Sequence, residues 1–268
     1  MKFFAAILAF GLLGACAGAT GSGGPGSNLD KPEISRSLLD AAAMAAAQGD
    51  LATASGYYRN VYLREPGNAR AAVGLMQTLR EQGDLEQARQ IADAALLGKP
   101  NDATVVAEVG KVRLASGQLP NAVALLQRAV ELDPADWKSR SALGVAYDRL
   151  GESAKAEETY RAALEISPNN PVVLNNLALS RVLANDLPGA RDLLQRAVAT
   201  SRSDVRVRQN LALLYALSGN MAQAEALTLQ DLPPELARAP WLTTANSPPR
   251  RSRRVSAGSS SRTESSYR

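Results

Sequence analysis

The stretch from Trp137 to Asn170 reads WKSRSALGVAYDRLGESAKAEETYRAALEISPNN, and its order prescribes two short helices joined by a turn. Apolar residues recur at helical spacing in Leu143, Ala146 and Tyr147, then in Ala156, Tyr160, Ala163 and Leu164. Gly151 lies between the two runs, where a turn between antiparallel helices needs a left-handed residue. Pro168 follows the second run, where it cannot continue the helix and turns the chain into the next element.

The same pattern repeats outward from this stretch at a period of 34 residues, without a gap, from Ser35 to Arg238. The turn position holds Gly49, Gly83, Gly117, Gly151, Asn185 and Gly219. Asparagine is the residue that tolerates left-handed backbone next most easily, so Asn185 still fits. A second column holds Ala54, Ala88, Ala122, Ala156, Ala190 and Ala224, small side chains that let paired helices approach closely. A third holds Pro66, Pro100, Pro134 and Pro168, and Arg202 breaks that series. The expected fold is all-α, about twelve helices in six repeats over 35–68, 69–102, 103–136, 137–170, 171–204 and a degenerate 205–238.

The run Ala142-Leu143-Gly144-Val145-Ala146-Tyr147, with Gly151, Ala156, Tyr160, Ala163, Leu164 and Pro168, resembles a tetratricopeptide repeat. The resemblance covers about three quarters of the chain and implies a superhelical solenoid of stacked helix pairs. It is weakest at the ends. Repeat one has Ala41, Ala42 and Ala45 where bulky residues are usual, and repeat six carries Thr228 and Asp231 before Pro233-Pro234. Arg113 and Arg181 stand where the family usually has tyrosine, which puts local packing in repeats three and five in question.

A second signal precedes the array. Lys2 gives a positive start, Phe3 to Leu13 is almost wholly apolar, and Leu13-Gly14-Ala15-Cys16 supplies small residues at a cleavage point. Residues 1–15 resemble a bacterial lipoprotein signal peptide, which implies that Cys16, the chain's single cysteine, is lipidated. Ala17 follows it in place of aspartate, and by the family's sorting rule this implies an outer-membrane, periplasm-facing protein held by its lipid. Residues 16–34 are then the lipidated Cys16 and a flexible tether, whose Gly- and Ser-rich part from Ala17 to Asp30 has a reach of about 20 Å.

The formal charge of +4 is unevenly placed. Ser247 to Arg268 holds six arginines and one acid, Glu264; without this segment and Lys2, residues 16–246 carry a formal charge of −2. Residues 239–268 therefore read as a disordered tail rich in Arg and Ser. In a secreted chain such a tail is either solvated without a fixed partner or suits anionic lipid or envelope polymers, and no nucleic-acid partner is expected. With no histidine, a cysteine assigned to lipid and no phosphate-binding loop, the chain is expected to be no enzyme and to need no cofactor or metal.

What remains is binding to protein partners. In the family, the inner face of the solenoid is lined by the second, fifth, sixth, ninth and twelfth positions of each first helix. Carried over, these are Arg70, Gln77, Arg80, Lys111, Lys138, Ser141, Asp148, Asn175, Asn176, Arg206, Gln209 and Asn210. Amides and bases in a groove suit an extended peptide, whose backbone and carboxylates they can pair. Asn175, Asn176, Gln209 and Asn210 form the densest group.

In architecture the chain resembles the TadD lipoproteins of tight-adherence (Flp) pilus systems. That implies a lipid-anchored adaptor that assists the assembly or outer-membrane localisation of a pilus secretin. A pilotin-like lipoprotein of type IV pilus systems, or a scaffold for peptidoglycan enzymes, shares the same architecture.

Overall fold

In the computed structural model, residues 31–200 and 205–231 are described, and they form twelve α-helices. The expected signal peptide, Cys16, the tether up to residue 30, the last residues of repeat six and the basic tail lie outside the described residues. The helices pair as α1 (Lys31–Ala47) with α2 (Leu51–Arg64), α3 (Ala69–Gln82) with α4 (Leu85–Gly98), and α5 (Ala103–Ala115) with α6 (Leu119–Leu132). They continue as α7 (Trp137–Arg149) with α8 (Ser153–Ile166), α9 (Pro171–Leu183) with α10 (Leu187–Thr200), and α11 (Val205–Leu217) with α12 (Met221–Gln230). Residues 31–34, read in the sequence as the end of a tether, are instead the first turn of α1. Pro32 needs no partner for an N–H there, and Glu33 complements the positive end of the helix dipole.

Local chemistry sets the boundaries. Asn68, Asp84, Asp102, Asp136 and Asn170 cap the helices that follow them by accepting backbone N–H bonds, each worth about 1 kcal/mol. At the turn after α7, Gly151 has φ 77° and Glu152 N donates to Tyr147 O at 2.9 Å. After α9, Asn185 takes φ 61° and Asp186 N donates to Arg181 O at 2.8 Å. Both are Schellman closures, so the one asparagine in the glycine column serves the same purpose.

The core follows from close approach. Every alanine of the second column is buried. Opposite them, a methyl group added to Gly144 would lie 2.5 Å from the ring of Tyr160, and one added to Gly74 would lie 2.4 Å from Tyr58. A bare backbone on the first helix thus receives a large ring from the second. Fully buried leucines such as Leu126, Leu174 and Leu194 contribute about 1.5–3 kcal/mol each.

Successive repeats are joined by a recurrent polar pair between a second helix and the next first helix. Gln127 donates to the Tyr147 hydroxyl at 2.8 Å, and Gln195 to Tyr215 at 2.8 Å. Where arginine replaces tyrosine the partner changes too. Arg113 pairs with Asp93, at the position equivalent to Gln127, and Arg181 pairs with Glu157 at 2.5 Å and Asp186 at 2.9 Å. Packing at repeats three and five is kept by exchanging a neutral hydrogen bond for a charged one.

Candidate functional site

The first helices lie side by side and present one face inward, because positions three and four apart fall on the same side of a helix. A row of cavities follows that face. A cavity of about 370 Å³ is lined by Gln77, Arg80, Glu108, Lys111 and Lys138. A wider one of about 630 Å³ runs from Gln77 past Trp137, Lys138 and Val145 to Val172 and Asn176. Beyond it lie an apolar recess of about 280 Å³ that includes Val145, Asp148, Leu179 and Leu183, and a polar one of similar size at Asn175, Asn176, Arg206, Gln209 and Asn210. Asn176 borders the last three.

Of the residues expected in the groove, all but Arg70 line these cavities. Arg70 reaches back to Asp40 on α1, 2.7 Å away, in an exposed pair. The bases are less available than the sequence implies. Arg80 Nε donates to Glu108 Oε1 at 2.9 Å, and Lys111 Nζ lies 3.4 Å from the other oxygen of the same carboxylate. Glu108 is 3% exposed, so its charge is held in the wall and offsets one of the two cations. Sequence reasoning missed Glu108, although it occupies the sixth position of its repeat, the position that holds Asn176 and Asn210 elsewhere.

Asp148 is likewise occupied. It accepts from the Tyr160 hydroxyl at 2.9 Å and the Ser180 hydroxyl at 2.7 Å, which ties α7 to α8 and α9. Burial, with the Asp148 charge adding to it, pushes the Tyr160 phenol well above its ordinary range, so Tyr160 stays a donor. An acid with two hydrogen bonds from neutral donors is a joint in the scaffold.

The amides form a continuous row. Asn210 Nδ2 donates to Asn175 Oδ1 at 2.7 Å, Asn175 approaches Asn176 at 3.5 Å, and Asn176 Nδ2 donates to Ser141 Oγ at 3.1 Å. The row crosses three repeats, and each amide retains polar valences beyond these bonds. Trp137, partly buried against the core, also forms part of the groove wall, with Lys138 Nζ 5.8 Å from its ring centroid.

The tetratricopeptide-repeat pattern matches residues 45–108 and again residues 110–171. The fold is a tetratricopeptide-repeat superhelix. A thermophilic tetratricopeptide-repeat protein of Thermus thermophilus superposes with a TM-score of 0.64 at 19% identity, over 68% of this chain and 99% of its own. PilW, described as a widely conserved type IV pilus biogenesis factor, gives a TM-score of 0.64 at 17% identity over 80% of this chain and 98% of its own. Pseudomonas aeruginosa PilF gives a TM-score of 0.58 at 18% identity, over 74% of this chain and 90% of its own. At such identities the likeness is one of fold.

Among curated sequences, cellulose synthase operon protein C of Pseudomonas fluorescens is 26% identical over 188 residues, 64% of this chain. Human tetratricopeptide repeat protein 33 is 31% identical over 125 residues, 47% of this chain. The chain spans 15% and 44% of the length of these two relatives. The tetratricopeptide-repeat fold is one that serves protein–protein interaction.

Proposed function

We propose that the chain is a lipid-anchored tetratricopeptide-repeat adaptor, held at the outer membrane through Cys16, that assists the assembly or localisation of a Tad/Flp pilus secretin. The observation that carries the adaptor half of this reading is the amide row from Ser141 to Asn210, which runs unbroken along the groove of three repeats. Its spare donors and acceptors suit the backbone of an extended partner segment. The lipoprotein-like run ending at Cys16 supports the anchor.

The likeness to PilW, described as a type IV pilus biogenesis factor, supports a close alternative in which the secretin belongs to a type IV system. Both readings make one experimental demand. Crosslinking and affinity purification of the lipidated protein from its own cells, followed by mass spectrometry, should recover an outer-membrane secretin or other pilus subunits. Recovery of cell-wall hydrolases and synthases alone would replace the pilus reading with a peptidoglycan scaffold.

A further inference from the structure

The inner face changes character along the array. Along the cavities it presents Lys111, Val145 and Leu179 at the ninth position of successive first helices and Ala115, Arg149 and Leu183 at the thirteenth, and the repeat puts Leu213 and Leu217 at these same positions of α11. The four leucines on α9 and α11 are 40–73% exposed. Leucines of the core in these same helices, such as Leu174 and Leu211, are buried, so the exposed four are not there for repeat stacking. Leu179 and Leu183 are one turn apart, and neighbouring helices pack about 8–10 Å apart. The four therefore make one apolar surface on the order of a few hundred Å², of the size that marks an interaction site.

Charge decides what covers it. The helices α7, α9 and α11 carry six bases, Lys138, Arg140, Arg149, Arg181, Arg206 and Arg208, against a single carboxylate, Asp148, whose charge the neutral donors Tyr160 and Ser180 leave in place. Arg149 lines the same recess as Leu179 and Leu183, and its guanidinium donates to the carbonyl oxygen of Leu114 at 2.6 Å, a neutral acceptor that leaves its charge in place. An apolar surface on helices of net positive charge, ending at Arg149, which has no ion-paired partner among the described residues, disfavours a basic ligand and favours an acidic one.

We infer that the groove over repeats four to six takes an acidic segment of a partner protein that sets bulky apolar side chains on Leu179, Leu183, Leu213 and Leu217 and a carboxylate at Arg149. This rests on the adaptor reading and adds the chemistry of the partner. One bulky side chain enters the 280 Å³ recess of Val145, Leu179 and Leu183, and a second lies over Leu213 and Leu217. The neighbouring amide row then meets the partner's backbone.

The test is selection of random twelve-residue peptides on the purified full chain, then fluorescence anisotropy of labelled selected peptides with variants. The expected peptides are enriched in Leu, Phe or Trp with Asp or Glu a few positions away. Leu183→Asp should weaken them at least tenfold, and Arg149→Glu should shift the preference from acidic to basic peptides, both with unchanged melting temperature. Peptides without that enrichment, or binding indifferent to Leu183→Asp and Arg149→Glu but lost in Asn176→Ala with Asn210→Ala, would overturn this inference and leave the adaptor reading standing. Failure to select any peptide would overturn both.

Discussion

Arg80 Nε and Glu108 Oε1 lie 2.9 Å apart across the boundary between the second and third repeats, and Lys111 approaches the same carboxylate from one turn along α5. Two bases that read in the sequence as ligands for a partner are thus anchored to an acid in the wall. The consequence is mechanical as well as electrostatic, because the bridge clamps α3 to α5.

Glu108→Gln is expected to lower stability by about 1–3 kcal/mol. Removing the buried partner of two cations costs several kcal/mol in full burial, and the exposure of Arg80 and Lys111, about a quarter each, reduces that. The midpoint of urea unfolding reports it. An unchanged midpoint would mean that the bridge adds nothing to the fold.

Tyr160 provides a pH dependence. Its phenol is held protonated in the fold by burial and by Asp148, while in the unfolded chain it ionises near pH 10. A group whose folded pKa is raised contributes stability that is complete below its unfolded value and declines above it. Stability should therefore fall as pH rises beyond about 10. Tyr160→Phe should lose about 1 kcal/mol near neutral pH and flatten the alkaline decline. Burial also raises Tyr58, so part of the slope should persist in that variant. Urea unfolding compared near pH 8 and near pH 11 distinguishes these outcomes.

Two glycine replacements should act in opposite directions. A methyl group at Gly144 would lie 2.5 Å from the Tyr160 ring, so Gly144→Ala should destabilise by about 1–3 kcal/mol through overpacking. Gly56 sits in α2 with open space around it and an ordinary helical φ. Gly56→Ala should stabilise by about 0.5–1 kcal/mol. Thermal unfolding of the two variants beside the parent chain gives the comparison directly.

Cys16→Ser is expected to abolish lipidation and to move the protein out of the membrane fraction. Metabolic labelling with a fatty acid and fractionation of the cells read both effects. Unchanged membrane partition of the variant would remove the anchor from the proposal.

The repeat architecture was legible because each of its signals is local. A turn residue must tolerate positive φ at its own position, so Gly151 and Asn185 can be read from the chain alone. The 34-residue period then carries one local reading to all six repeats. Even the arginines at 113 and 181, which depart from the tyrosine usual at their position, are compensated by Asp93 and Glu157 one repeat earlier.

The groove was legible in its positions and not in its chemistry. By itself the sequence determined that about twelve helices form and where they turn; the columns expected to face inward came from the family resemblance. Only the tertiary structure decided that Glu108 takes up Arg80 and Lys111, that Asp148 is occupied by Tyr160 and Ser180, and that among the described residues four leucines on α9 and α11 stay 40–73% exposed. The partners in these pairs are separated by 28 residues for Arg80 and Glu108 and by 32 for Asp148 and Ser180. Which side chain satisfies which is set by how successive first helices pack, and a column read down the sequence holds no distance between them.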